Sequence, residues 1–181
     1  MPIEGSRNSY TPNSGDPTAF TPEQYAHKVL FSSNLKDKLD SSGYRSVQFE
    51  DENAAPPLIG SPTPGRPSNL LLPKGKLPDT HGIPATPHLV NDENRGKLLH
   101  FFANHELLAA ELMALALLKF PDAPLAFRKG LLNPLREEQI HTQWYLKRMK
   151  ECGVSFGDYP VSRFFWDSVS GMETPVDYVS R

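Results

Sequence analysis

Apolar and polar positions change rhythm twice along the chain. In "FTPEQYAHKVLFSS" the apolar residues Tyr25, Val29 and Leu30 recur at helical spacing. Thr21 suits the cap, Pro22 the first helical position, and Gln24 the reciprocal partner of a capping box. The pattern predicts a short helical segment over residues 19–40, with "NLKDKL" as its continuation. From 41 to 90 the rhythm dissolves into "AAPPLIGSPTPGRPSNLLLPKGKLPDTHGIPATPH", where repeated prolines remove backbone donors and favour extended conformations. This reads as a Pro-rich extended arm or linker. Its apolar beads, Leu58, Ile59 and Leu70 to Leu72, are suited to lie along a helical surface. Residues 1–18, polar and rich in Pro and Gly, are expected to be disordered.

Helical periodicity returns at Asn91, which caps a helix that has acids in its first turn and runs to Phe120-Pro121. From Phe101 to Phe120 fifteen of twenty residues are apolar, so this helix should be covered on most sides. The apolar block is too short to span a bilayer and contains Glu111, which makes it a core helix. A second helix begins near Asp122 to Pro124 and ends at "KECG", with basic residues near its C-terminus and Gly153 as its stop. The two should form an antiparallel hairpin. Pro134 cannot donate to the carbonyl of Gly130, so a kink is expected there, or a restart capped by Asn133.

Projected at 100° per residue, the second helix places Phe127, Leu131, Leu135, Glu138, His141, Tyr145 and Met149 on one stripe. Arg136, Gln139, Gln143, Lys147 and Lys150 lie roughly opposite and mark the solvent side. On the first helix Glu106 shares an inward stripe with Leu99, Phe102, Ala103, Ala110, Met113 and Leu117. Glu106 lies fourteen residues before Phe120 and Glu138 fourteen after Pro124, so an antiparallel hairpin brings them level, with His141 one turn away. Glu111 falls about 7 Å nearer the turn and well around the helix. No Lys or Arg lies on these stripes. Buried carboxylates must be paired, protonated or metal-bound, and metal is the reading that accounts for all three groups. Oxygen-rich ligation suits iron or manganese.

The neighbours carry bland readings beside sharper ones. His105 is a donor to a ligand side chain or a satisfied core histidine, Tyr145 a donor to a ligand or a core tyrosine, and Glu111 a reserve ligand or an interhelical acceptor. His27, His81, His88 and His100 read as ordinary surface or loop residues. Composition narrows the partners. The 181 residues carry a net charge of −2 with no basic stripe, which argues against nucleic acid, and 13 of the 18 prolines fall in the first 90 residues, which leaves a small compact part. The single cysteine, Cys152, excludes an internal disulfide framework and reads as a buried or idle thiol. No secretory signal is visible at the N-terminus, so a cytoplasmic location is expected.

"HFFANHELLAAELMALAL", "FPDAPLAFRKGLL", "LREEQIHTQWY" and "GVSFGDYPVSRFFW", with "KVLFSSNLKDKL" and "PGRP" upstream, together resemble the ferritin-like family known as domain of unknown function 455, which is distantly similar to tRNA-modifying di-iron monooxygenases. The resemblance implies an all-α fold. Residues 91–181 would be a ferritin-like helical hairpin, half of a four-helix bundle, with an incomplete C-terminal continuation. It also implies that Glu106, Glu138 and His141 are metal ligands, Glu138 bridging, in a dinuclear iron or manganese site that serves an oxygen-dependent oxidoreductase of unknown substrate. The family pattern needs six ligands, and this chain offers three. The helix announced by Thr174, Pro175 and Asp177 has only about six residues before Arg181. The chain is therefore expected to be a truncated product or to complete its bundle as a homodimer. The other reading is a non-catalytic helical interaction or oligomerisation module with a vestigial half-site.

Overall fold

A computed structural model describes residues 20–49, 55–75 and 84–179. The expected disorder of residues 1–18 lies outside these, as does His81. The described residues are almost entirely helical and form no sheet; one parallel bridge joins Phe20 to Val47.

Helix α1 spans Pro22–Phe31 and starts as its sequence predicts: the Thr21 side chain accepts from the Gln24 amide, and the Gln24 side chain accepts from the Thr21 amide at 2.9 Å. Tyr25, Ala26, Val29 and Leu30 are fully buried. The chain breaks at Ser32 and restarts on an Asn34 cap as the short α2, Leu35–Lys38, so "NLKDKL" forms its own turn and does not extend α1. The described part of the Pro-rich arm is a strap packed on the helices. Its Leu58 amide bonds to the Leu118 carbonyl, its Gly65 amide to the Leu30 carbonyl, and Leu70 is buried, whereas Ile59 and Leu71 face solvent.

Helix α3, Asp92–Lys119, is capped by Asn91, whose side chain accepts from the Asn94 amide. By length and composition α3 could cross a bilayer, but its C-terminal half is buried against α1, the strap and the next helix, as a core helix is. Helix α4, Leu125–Glu151, packs antiparallel along it. It ends where the Gly153 amide bonds to Lys150 and the Val154 amide to Met149, with Gly153 at φ 76°, a Schellman stop that favours glycine. No restart occurs at Asn133: α4 continues through Pro134 as one helix. Gly130, four residues earlier, has no side chain to crowd the ring and opens to solvent, which can hydrate the carbonyl that Pro134 leaves without a donor. The last described element, α5, is Pro175–Val179, and its Tyr178 ring meets Phe127 edge-on at 6.1 Å.

Candidate metal centre

Glu106 on α3 and Glu138 and His141 on α4 meet at one level of the hairpin. Each offers a carboxylate oxygen or ring nitrogen, and these atoms all lie within 4.8 Å of one another. First-row divalent ions bind such donors at about 2.0–2.2 Å, so donors on one ion lie within roughly 4.4 Å of each other. The three donors thus stand near the separation that one ion requires. The Nδ1 atom of His141 is 3.3 Å from Oε2 of Glu138. Burial pushes the Glu138 carboxyl up to about 7, helped by Glu106 beside it and opposed by His141. Among the described residues no Lys or Arg pairs with Glu138. Two adjacent acids and an imidazole without a compensating cation make a donor set fitted to a hard or borderline divalent ion.

The surroundings are aromatic. The Trp144 ring, 65 % exposed, sits 5.4 Å from His141. Tyr145 stacks on Phe102 at 5.7 Å, and its hydroxyl pKa is raised by burial and then by the charges of Glu106 and Glu138, which places it beside the cluster. His105 instead packs its ring against Phe165 at 4.7 Å and stacks between Phe101 and Phe164.

Glu111 belongs to a separate network. Fully buried, it accepts from Arg66 Nε at 2.9 Å and Nη2 at 2.6 Å, and Lys38 Nζ lies 3.1 Å away. Arg66 also donates to Asn104 Oδ1 at 2.9 Å, and Asn104 in turn to the Ser162 carbonyl. Lys38 donates to the Val29 and Leu30 carbonyls at the end of α1, and burial lowers its pKa against the pull of Glu111. Helical projection gave α3 no inward cation because both cations come from outside the hairpin, from α2 and the strap. Glu111 is thus an ion-pair partner and not a reserve ligand.

Two further expectations change for the same reason. Gln139, placed on the solvent face by projection, is fully buried, since Tyr25 donates to it at 2.6 Å and it donates to the Lys38 carbonyl at 2.7 Å. His100, read as a surface residue, is 2 % exposed and accepts from the Gly157 amide through Nε2 at 3.0 Å. Burial lowers its pKa, and Asp158 opposes the shift. The only sequence signal for the Arg66 anchor is "PGRP": its Pro64 and Arg66 are buried, and a Cβ on Gly65 would lie 2.0 Å from the Phe31 carbonyl oxygen.

No curated protein and no solved structure matches the chain. Residues 21–181, however, match the model of the family described as protein of unknown function DUF455, and the chain belongs to that family.

Proposed function

We propose that this chain is the ligand-bearing hairpin of a ferritin-like carboxylate protein that holds iron or manganese and works as an oxygen-dependent oxidoreductase. The observation that carries the reading is the convergence of Glu106, Glu138 and His141 from two antiparallel helices at one level. A Glu on one helix and a Glu-x-x-His on its neighbour form half of a dinuclear carboxylate set. Glu138 hydrogen-bonds with both Glu106 and His141, and the three side chains would together hold the ion. When bound, a redox-active ion supplies electron exchange with oxygen, chemistry that none of the three side chains has. The protein holds the donors on rigid helices. Tyr145, near enough to feel both carboxylate charges, can hold a proton at its hydroxyl beside them.

Elemental mass spectrometry of the purified chain after loading with iron(II) or manganese(II) under anaerobic conditions tests the reading. About one ion per chain is expected, with loss of the ion in Glu138→Ala and in His141→Ala. Retention of metal in both variants, or no binding by the parent chain, would overturn the assignment; the second result leaves a non-catalytic helical module.

A further inference from the structure

Lys38, the last residue of α2, holds both ligand-bearing helices at once. Its ammonium lies 3.1 Å from Oε1 of Glu111 on α3, and both side chains are fully buried. Its carbonyl accepts from Nε2 of Gln139 on α4 at 2.7 Å. The next carbonyl, that of Leu39, accepts from Gln143 at 2.6 Å, one turn further along α4. Gln139 is held from its other end as well, where Oε1 accepts from the Tyr25 hydroxyl at 2.6 Å. The ammonium also donates to the Val29 and Leu30 carbonyls at 2.5 and 2.9 Å, which fixes the residue to α1. Its three protons thus meet three acceptors.

These bonds lie close behind the candidate centre. Gln139 follows Glu138 directly, and Glu111 lies five residues, about 7.5 Å, beyond Glu106 along α3. Glu106 and Glu138 stand on different helices, so the separation of their carboxylates depends on how far one helix is slid along the other. Packed helices can shear past one another in small steps. A hydrogen bond weakens steeply once its angle is lost, so bonds to both helices from one residue resist that slip. The donor atoms lie within 4.8 Å of one another, near the limit for one ion, and a binding constellation must be held to about 0.5 Å. Charge balance alone gives Lys38 little reason to be there. Arg66 already answers Glu111 with bonds from Nε and Nη2, and a second buried cation adds a desolvation cost. What Lys38 adds is the link to α4. We propose that Lys38 is a positioning residue for the metal centre: with its side chain on α3 and its main chain on α4, it sets the lengthwise register that brings Glu106 level with Glu138 and His141. The inference rests on the metal reading above.

The experiment cuts the two grips separately. Lys38→Met releases α3 and leaves Glu111 paired with Arg66, while Gln139→Met releases α4 with little change in volume. The full chain and its variants are titrated with manganese(II), the dissociation constant being read from the free-ion electron paramagnetic resonance signal and the zero-field splitting from the bound ion at low temperature. Each variant should bind about ten-fold more weakly with an altered splitting. The double variant should be little worse than the weaker single, since both cuts open the same link. Trp166→Phe removes an indole bond to the Pro62 carbonyl and takes no part in either grip; it should lower Tm yet keep the parent constant and spectrum. If Lys38→Met fails to fold, Gln139→Met compared with Trp166→Phe carries the test. A Gln139→Met chain that melts earlier but binds manganese as the parent does would overturn the positioning role and leave a structural clasp. Equal weakening in Trp166→Phe would overturn it by showing that any lost core bond suffices. In both results the parent still binds manganese and the metal reading stands, whereas a parent that binds none would overturn both readings.

Discussion

Burial treats the acids of this hairpin in two ways. Glu111 is sealed from solvent and answered by Arg66 and Lys38, so its charge is held in place by hydrogen bonds. Glu138 is less buried and, among the described residues, has Glu106 and His141 rather than a Lys or Arg beside it, and its carboxyl rises to about 7. An acid without a cation beside it is where an added ion gains most. The positions of Glu106, Glu138 and His141 were legible in the sequence because helical spacing fixes both facing and level within a hairpin. The fate of Glu111 was not, since Arg66 lies 45 residues away and no periodicity reports it. His100 was missed similarly: its partner is the Gly157 amide, 57 residues away. It makes a testable residue. Because Nε2 accepts a hydrogen bond, the ring is neutral when folded, and burial holds its pKa below the ordinary 6.5. The unfolded chain therefore binds the proton first, and stability falls as pH drops below about 6.5 toward the lowered folded value. Asp158 opposes this shift, and the Tyr159 ring, 5.6 Å away, covers the imidazole. The expected outcome is a Gly157 amide protection factor, measured by NMR hydrogen exchange, that declines between pH 7 and pH 5 in the parent; in His100→Gln the decline should vanish. Equal decline in both would remove His100 as the cause.

At the scale of elements, local rules described the hairpin and long-range ones the strap. The caps at Thr21 and Asn91 and the stop at Gly153 are satisfied within a few residues, which is why α1, α3 and α4 begin or end where the sequence places them. Gln139 faced the wrong way in projection because Tyr25 of α1 and the Lys38 carbonyl, each more than a hundred residues away, bond to it, while Gln143, Lys147 and Lys150 on the same side stay exposed. The strap uses Arg66 as its main anchor, joining Glu111, Asn104 and the Leu70 carbonyl. Removing one member of a buried ion pair strands its partner, whereas replacing both with apolar groups of similar volume is often neutral. Arg66→Met should therefore cost about 3–5 kcal/mol of unfolding free energy. Arg66→Met combined with Glu111→Leu should cost less than the sum of the two single substitutions, although Lys38 then loses its acid and keeps only the α1 carbonyls. Urea denaturation of the single and double variants measures the coupling. Strict additivity of the two substitutions would show that the pair does not tie strap to helix.

The whole molecule couples these parts through α3, which carries Glu106 on one side and Glu111, with the strap and α1, on another. Metal added to the first side should therefore be felt as stability of the entire helical unit, and not only of the loops around an ion. Binding to the folded chain alone stabilises by mass action, about 2.7 kcal/mol when free ion is at a hundred times its dissociation constant. For a domain of this size that is an upward shift in Tm of roughly 5–10 °C. The shift should be visible by circular dichroism at 222 nm, a band that reports all helices together, on adding manganese(II) to chelator-treated protein. His141→Ala removes a donor that is half-exposed and makes no contact with the Arg66 anchor, so its own Tm without metal should stay near the parent value while the manganese shift disappears. A full shift in that variant would put the ion on other ligands. A shift confined to the parent, at a melting temperature otherwise unchanged, would tie the ion to the three convergent side chains and show that the helices carry its effect to the rest of the fold.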